Sequence, residues 1–314
     1  MLGAIIGDIV GSRFEFKNHR SKEFELFTSK CRVTDDSIMT LAVSKAVMEA
    51  RRTRDDEVSR MKGTKAGWTL NDPQDNCGSD PDSWGSEQND AGSGSGGINE
   101  KYYITAERLA VKYMQRIGRK YPKCGYGGRF RRWIFSDTPQ PYNSFGNGAA
   151  MRISPVGFAA ESEEEVVRLS RAVTAVTHNH PEGIKGAEAV AMAIYMARKG
   201  CSKEDICDRI TRNYYSLDFT IDEIRGTYKF DVTCQGSVPQ AIEAFLESES
   251  FEDAIRTAVS VGGDSDTIAA IAGSIAEAFY GVPEELKDTA LLYLDSELRA
   301  IFDEWYLFIG CQSA

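Results

Sequence analysis

Within residues 35–51, DDSIMTLAVSKAVMEAR, apolar side chains recur at Ile38, Leu41, Ala42 and Ala46. That spacing predicts an amphipathic helix. Residues 163–177 follow Ser162, with Glu165 three positions on, and the pair predicts a capping box. Residues 186–199, GAEAVAMAIYMARK, are apolar nearly all round, which predicts a central, buried helix. Ser202 with Asp205 and Ser250 with Asp253 mark two more helix starts, the second helix running to about Val259. Pro283, just after Gly281, suits the first turn of another. The best strand candidate is the short run TYKFDVTC, 227–234. The pattern as a whole predicts an almost wholly α-helical protein forming one domain over 1–314. One segment departs from it. Residues 71–99 are rich in Gly, Ser, Asp and Asn and lack the apolar side chains that order a chain, so a flexible insertion is expected there. Helical periodicity resumes at Tyr102, and no internal repeat of fixed period is visible.

The segment VGGDSDTIAAIAGSIAEAFYG, 261–281, poses a chemical question. From Thr267 onward Glu277 is its only charge, so the helix is expected to be buried, yet it begins with Asp264 and Asp266. A second stretch, VTDDSIMT at 33–40, likewise places Thr34, Asp35 and Asp36 before an apolar helix. Each cluster alone reads as helix capping, since Thr and Asp favour N-caps and acids suit the first turn. Together they place four carboxylates and two hydroxyls at the starts of buried helices, which is costly without a counter-charge. No Lys or Arg beside them offers one. A hard divalent cation such as Mg²⁺ or Mn²⁺ is the natural partner of all-oxygen ligands, and four carboxylates have capacity for two ions.

Composition narrows the classes. The formal balance, 37 basic against 47 acidic residues, is −10. It argues against a nucleic-acid backbone as main partner, and Arg129, Arg131 and Arg132 read as a local solvated face. The seven cysteines are scattered without a C-x-x-C pair, so neither a disulfide framework nor a thiolate zinc site is expected. No run approaches the ~18 apolar residues of a membrane span and no leader pattern is seen, so a cytoplasmic monomer without membrane contact is expected.

Five motifs lie in order along the chain: GAIIGDIVGSRFEF (3–16), TDDSIMTLAV (34–43), SFGNGAAMRISPVG (144–157), THNHPEGIKGA (177–187) and GGDSDTIAAIAGSIAEAFYG (262–281). In these residues the chain resembles the ADP-ribosylglycohydrolase family, which includes dinitrogenase reductase-activating glycohydrolases and ADP-ribosyl-acceptor hydrolases. Ser37 stands where a threonine is common and keeps the hydroxyl. The resemblance implies a compact all-α multi-helix bundle, orthogonally packed, around a dinuclear Mg²⁺ or Mn²⁺ centre. It implies hydrolysis of the glycosidic bond between C1″ of ADP-ribose and an acceptor. Carried over by motif, Thr34, Asp35, Asp36, Asp264, Asp266 and Thr267 become the metal ligands. Glu15 becomes the acid near the scissile bond, with Asp36 and Asp266 as the other candidates to handle the proton. Ser144, Phe145, Gly146, Asn147 and Gly148 would hold ADP-ribose, the loop's N–H groups cradling the diphosphate and Phe145 lying against the adenine. His178 would line the same pocket.

Read on their own residues, the glycine loop is equally a plain turn, Glu15 a surface acid, and His19 and His180 ordinary histidines. A non-catalytic ADP-ribose-binding or structural protein, and a two-metal phosphohydrolase of nucleotide diphosphates, stand as rival readings. The ADP-ribosylated substrate is open among protein, nucleic acid and small molecule, with arginine, serine, a base or a small ester as the acceptor.

Overall fold

The computed structural model describes residues 1–65 and 93–312. Among them the fold is all-α, as the periodicity predicts. Helix α1 spans Leu2–Gly11, α2 Asp35–Lys65, α3 Ser93–Gly118 and α4 Gly128–Ile134. A 3₁₀ turn at Asn147–Ala149 leads to α5 at Ser154–Ala159. Then come α6 (Glu163–Thr174), α7 (Pro181–Arg198), α8 (Lys203–Asn213) and α9 (Ile221–Arg225). The chain ends with α10 (Cys234–Leu246), α11 (Phe251–Val261), α12 (Ser265–Tyr280), α13 (Glu284–Leu291) and α14 (Ser296–Gln312).

The centre is built on α1 and α12, both buried along most of their length. Glycines at four-residue intervals bring them together. A Cβ on Gly3 would fall 2.0 Å from the Gly273 carbonyl oxygen, and one on Gly7 2.1 Å from that of Ala269. A methyl group at either position would force the helices apart. Glu277, the one charge of α12 beyond Asp266, has a partner on α1, since the Gly3 N–H donates to it at 2.7 Å. Close contact of α1 with α12 is what sets Asp8 beside the start of α12. α7 packs on α6, α5, α12 and α10 and is the buried helix its composition predicts.

Ser202 and Asp205 form a full capping box on α8. On α6 only half of the expected box forms. Ser162 accepts from the Glu165 N–H, but the Glu165 carboxylate turns away, accepting from the Glu161 N–H at 2.9 Å and pairing with the buried Arg51 at 2.5 Å. A buried guanidinium is a stronger claimant for a carboxylate than an N-cap amide. The strand expected over 227–234 does not form. There the chain makes a single bridge, Gly146 to Thr233, and α10 begins at Cys234. The Asp231 side chain accepts from the Thr233 N–H at 2.7 Å and Thr233 caps α10, so local capping displaces extended pairing. Of the expected insertion, 93–99 lies in the first turns of α3, and 71–92 lies outside the described residues. No helix among the described residues is long and apolar enough to cross a membrane.

Candidate functional site

The starts of α2 and α12 meet beside α1. Asp8, fully buried on α1, accepts from the Thr34 N–H at 3.0 Å, the Thr34 hydroxyl at 2.6 Å, the Ser37 N–H at 3.1 Å and the Ser37 hydroxyl. A carboxylate from another helix therefore caps α2. Asp35 and Asp36 are not required for that task, and Asp264 makes no side-chain capping bond on α12. Capping thus leaves these carboxylates unexplained.

They converge on one another. One oxygen each of Asp8, Asp36 and Asp266 lie within 4.8 Å of each other, and so do those of Glu15, Asp264 and Asp266. The Thr267 hydroxyl donates to Asp36 at 3.0 Å. The Asn147 amide donates to Asp264 at 2.6 Å and to Ser237 at 3.0 Å. Asp35 is half-buried and lies against Gly125, whose φ of +104° suits glycine alone. A Cβ there would meet the Asp35 carboxylate at 2.6 Å.

The electrostatics show how uncomfortable the cluster is without a cation. Burial, then the charges of Asp266 and Asp8, push Asp35 and Asp36 well above the usual carboxylate range. Burial and Asp264 do the same to Asp266. Asp264 rises to about 6 through burial, opposed by its hydrogen bond from Asn147. Glu15 rises to about 7 through burial and Asp266, opposed by Arg32, whose guanidinium is 3.8 Å away. Clustered carboxylates with only Arg32, against Glu15, as a basic partner among the described residues, flanked by two hydroxyls, are a donor set for a hard metal ion.

These groups floor a cavity of about 330 Å³. Glu15, Asp35, Asp36, Asp264, Asp266 and Thr267 line it, whereas Thr34 lies behind, bonded to Asp8. Ser144, Gly146, Asn147, Gly148 and His178 line it as well. The loop is not a tightly packed turn. A Cβ on Gly146 or Gly148 would find only ordinary contacts, from 3.4 and 3.5 Å outward. Neither glycine is required by the protein's own packing, and the bare loop faces open cavity. Two of its N–H groups are already engaged, Gly146 to the Ser144 hydroxyl at 3.2 Å and Asn147 to the Val232 carbonyl at 2.8 Å. Asn147 is a support for Asp264 as much as a loop residue. Phe145 does not line the cavity. It is 41% exposed with its ring 5.1 Å from His180, while Phe230 stands at the rim near Phe16. Arg131 and Arg132 are exposed, as expected of a solvated face, but Arg129 lines the cavity.

Sequence reasoning missed Asp8 and Arg152. Asp8 carried a readable signal, one acid inside an otherwise apolar ten-residue helix, the same anomaly that marks Asp264 and Asp266. Arg152 follows the glycine loop directly and is 1% exposed.

A family model described as ADP-ribosylglycohydrolase matches residues 1–311. ADP-ribosylhydrolase ARH3 of Homo sapiens is 28% identical, over 62% of this chain and 70% of its own. ADP-ribosylhydrolase ARH3 of Bos taurus is 27% identical, over 62% and 69%. ADP-ribosylarginine hydrolase Tri1 of Pseudomonas putida (strain GB-1) is 30% identical, over 44% of this chain and 39% of its own. A solved structure named ADP-ribosylglycohydrolase-related protein complex matches with a TM-score of 0.58 and 18% identity, over 98% of this chain and 97% of that one, and so shares the fold. With its helical architecture and acidic cavity, this chain belongs to the ADP-ribosylglycohydrolase family.

Proposed function

We propose that the protein removes ADP-ribose from an acceptor by hydrolysing the glycosidic bond at C1″, with two Mg²⁺ or Mn²⁺ ions as cofactor. One observation carries the reading most of the way. Acids from the region around three helices converge, with only Glu15 paired to a base (Arg32) among the described residues, in a cavity also lined by a bare glycine loop. Asp36, Asp264 and Asp266, with Asp35, Thr34 and Thr267, would hold the ions, and Asp8 keeps Thr34 and Ser37 in register. Bound there, such ions neutralise the carboxylates, hold vicinal ribose hydroxyls and lower the pKa of water.

The remaining work falls to the chain. Ser144, Gly146, Asn147, Gly148 and His178 hold ADP-ribose, the bare loop admitting the diphosphate and Phe230, rather than the expected Phe145, offering a face to the base. Glu15, half-buried beside Asp264 and Asp266, would hold or pass a proton at the scissile bond. The glycosidic bond breaks, water adds to C1″, and the leaving acceptor takes a proton. The relatives named as an ADP-ribosylhydrolase and as an ADP-ribosylarginine hydrolase support this chemistry and leave the acceptor open among protein, nucleic acid and small-molecule forms. A cytoplasmic setting fits the scattered free cysteines.

The test is incubation with ADP-ribosyl-arginine, ADP-ribosyl-serine and ADP-ribosylated DNA, with and without Mg²⁺ or Mn²⁺. Free ADP-ribose from at least one substrate is expected. AMP with ribose phosphate would indicate a phosphohydrolase, and ADP-ribose binding without turnover a non-catalytic binder.

A further inference from the structure

Arg152 is a buried cation with no carboxylate within ion-pair distance among the described residues. Burying a charge without a counter-ion is costly. Its guanidinium donates to the Thr177 hydroxyl at 2.7 Å, lies 3.4 Å from His178 Nδ1, and sits over the Phe130 ring at 5.2 Å from the centroid. Burial lowers its pKa to about 10, which leaves it charged at neutral pH.

A guanidinium can only donate. Thr177 Oγ1 therefore accepts from Arg152 and has one proton of its own to place. The candidates are His178 Nδ1 at 2.7 Å and the Thr174 carbonyl at 3.4 Å. Were Nδ1 instead to carry the proton and donate to Thr177, its N–H would stand 3.4 Å from the Arg152 guanidinium, donor against donor, so Thr177 donates to Nδ1. His178 Nδ1 then faces two donors and must present its lone pair. Burial and the Arg152 charge also hold His178 well below the usual histidine pKa, so the ring is neutral and carries one proton. That proton is on Nε2, the atom that faces the loop, 3.6 Å from a Cβ position at Gly146 and 3.5 Å from one at Gly148.

We infer that Arg152 is a positioning residue: with Thr177 it fixes His178 as the Nε2–H tautomer and aims that N–H at an anionic oxygen held by the Gly146–Gly148 loop. The opposite tautomer would turn a lone pair toward the same oxygen and repel it. The ligand assignment rests on the ADP-ribose reading above, but the tautomer does not, because it follows from the protein's own hydrogen bonds.

The test is a two-bond ¹H–¹⁵N correlation spectrum of ¹⁵N-histidine-labelled protein without ligand. The chain has three histidines, and loss of one signal set in His178→Gln assigns the ring. The expected result is a pyrrole-like Nε2 and a pyridine-like Nδ1. In Arg152→Met the Nδ1–H tautomer should become populated and ADP-ribose affinity should fall about tenfold, in line with partial loss of one charge-assisted hydrogen bond. Arg152→Lys should restore much of both. An Nδ1–H ring or an imidazolium in the wild type overturns the inference, and that spectrum needs no variant to fold. Weakened binding in Arg152→Met with an unchanged tautomer overturns the positioning role. An Nε2–H ring in a protein that binds no ADP-ribose upholds the tautomer and removes the ligand assigned to it.

Discussion

Replacing Asp266 with asparagine should abolish hydrolysis while stabilising the metal-free protein. Asp266 belongs to both oxygen clusters, and each cluster has its ligand atoms within 4.8 Å. Two unit charges at that separation repel by about 3.5 kcal/mol at an effective dielectric of 20. Burial and the neighbouring charges raise these carboxyl pKa values, which reduces the repulsion that remains. A net relief of about 2 kcal/mol is a reasonable expectation. Asparagine keeps an acceptor for the Thr267 N–H, now 3.0 Å from the carboxylate, and gains donors toward Asp264. Little is lost to offset the relief. At roughly 2 °C per kcal/mol for a chain of this size, the metal-free melting temperature should rise by about 4 °C. With Mg²⁺ or Mn²⁺ present the sign reverses, because a ligand and its charge are gone. Groups that merely support metal ligands cost 10–100-fold when changed, so ADP-ribose release should fall at least about 100-fold. The assay is paired thermal melts in EDTA and in Mg²⁺, beside product release under the same conditions. Near-wild-type turnover in Asp266→Asn, or a wild-type melting temperature indifferent to both ions, would refute the reasoning.

Other outcomes follow from the same geometry. In EDTA, Glu15 at about 7 and Asp264 at about 6 have folded pKa values above their unfolded ones, so their stabilising contribution is full only below about pH 4 and is lost as pH rises through 6 to 7. Melts across pH 4–8 should show that decline in EDTA and a smaller one in Mg²⁺, and a metal-free curve that climbs through this window would contradict it. Gly148→Val should weaken ADP-ribose binding at least about tenfold by calorimetry while the fold persists, since a Cβ there meets only ordinary contacts. Unchanged affinity would make the loop a plain turn. Asp8→Asn keeps one of two acceptor oxygens for four donated bonds, so a loss of about 2–3 kcal/mol in denaturant melts is expected, with weaker metal binding. Gly7→Val should be worse still, because its side chain meets the α12 backbone.

Much of the fold was legible because its signals are local. Ser202 with Asp205 and Ser250 with Asp253 begin helices where expected, since an N-cap is satisfied within three residues. Where a distant partner intervened, reading failed. Glu165 left its capping box for Arg51, more than a hundred residues away. The alternation at 227–234 found no partner strand, and Asp231 and Thr233 bonded locally instead. The two acidic clusters were legible as an anomaly, charges at the starts of apolar helices. That Asp8 caps α2, so that Asp35 and Asp36 are not needed there, depends on the glycine contact of α1 with α12, which no local window contains. Arg152 reads as one arginine in a mixed segment until the fold buries it beside Thr177 and His178.

The most direct measurement is anomalous diffraction from crystals soaked in Mn²⁺. The account predicts manganese peaks on the floor of the cavity, about 2.1 Å from carboxylate oxygens of Asp36, Asp264 and Asp266, as in other hard-ion sites. An ordered cluster of the same carboxyl groups with no manganese would contradict it.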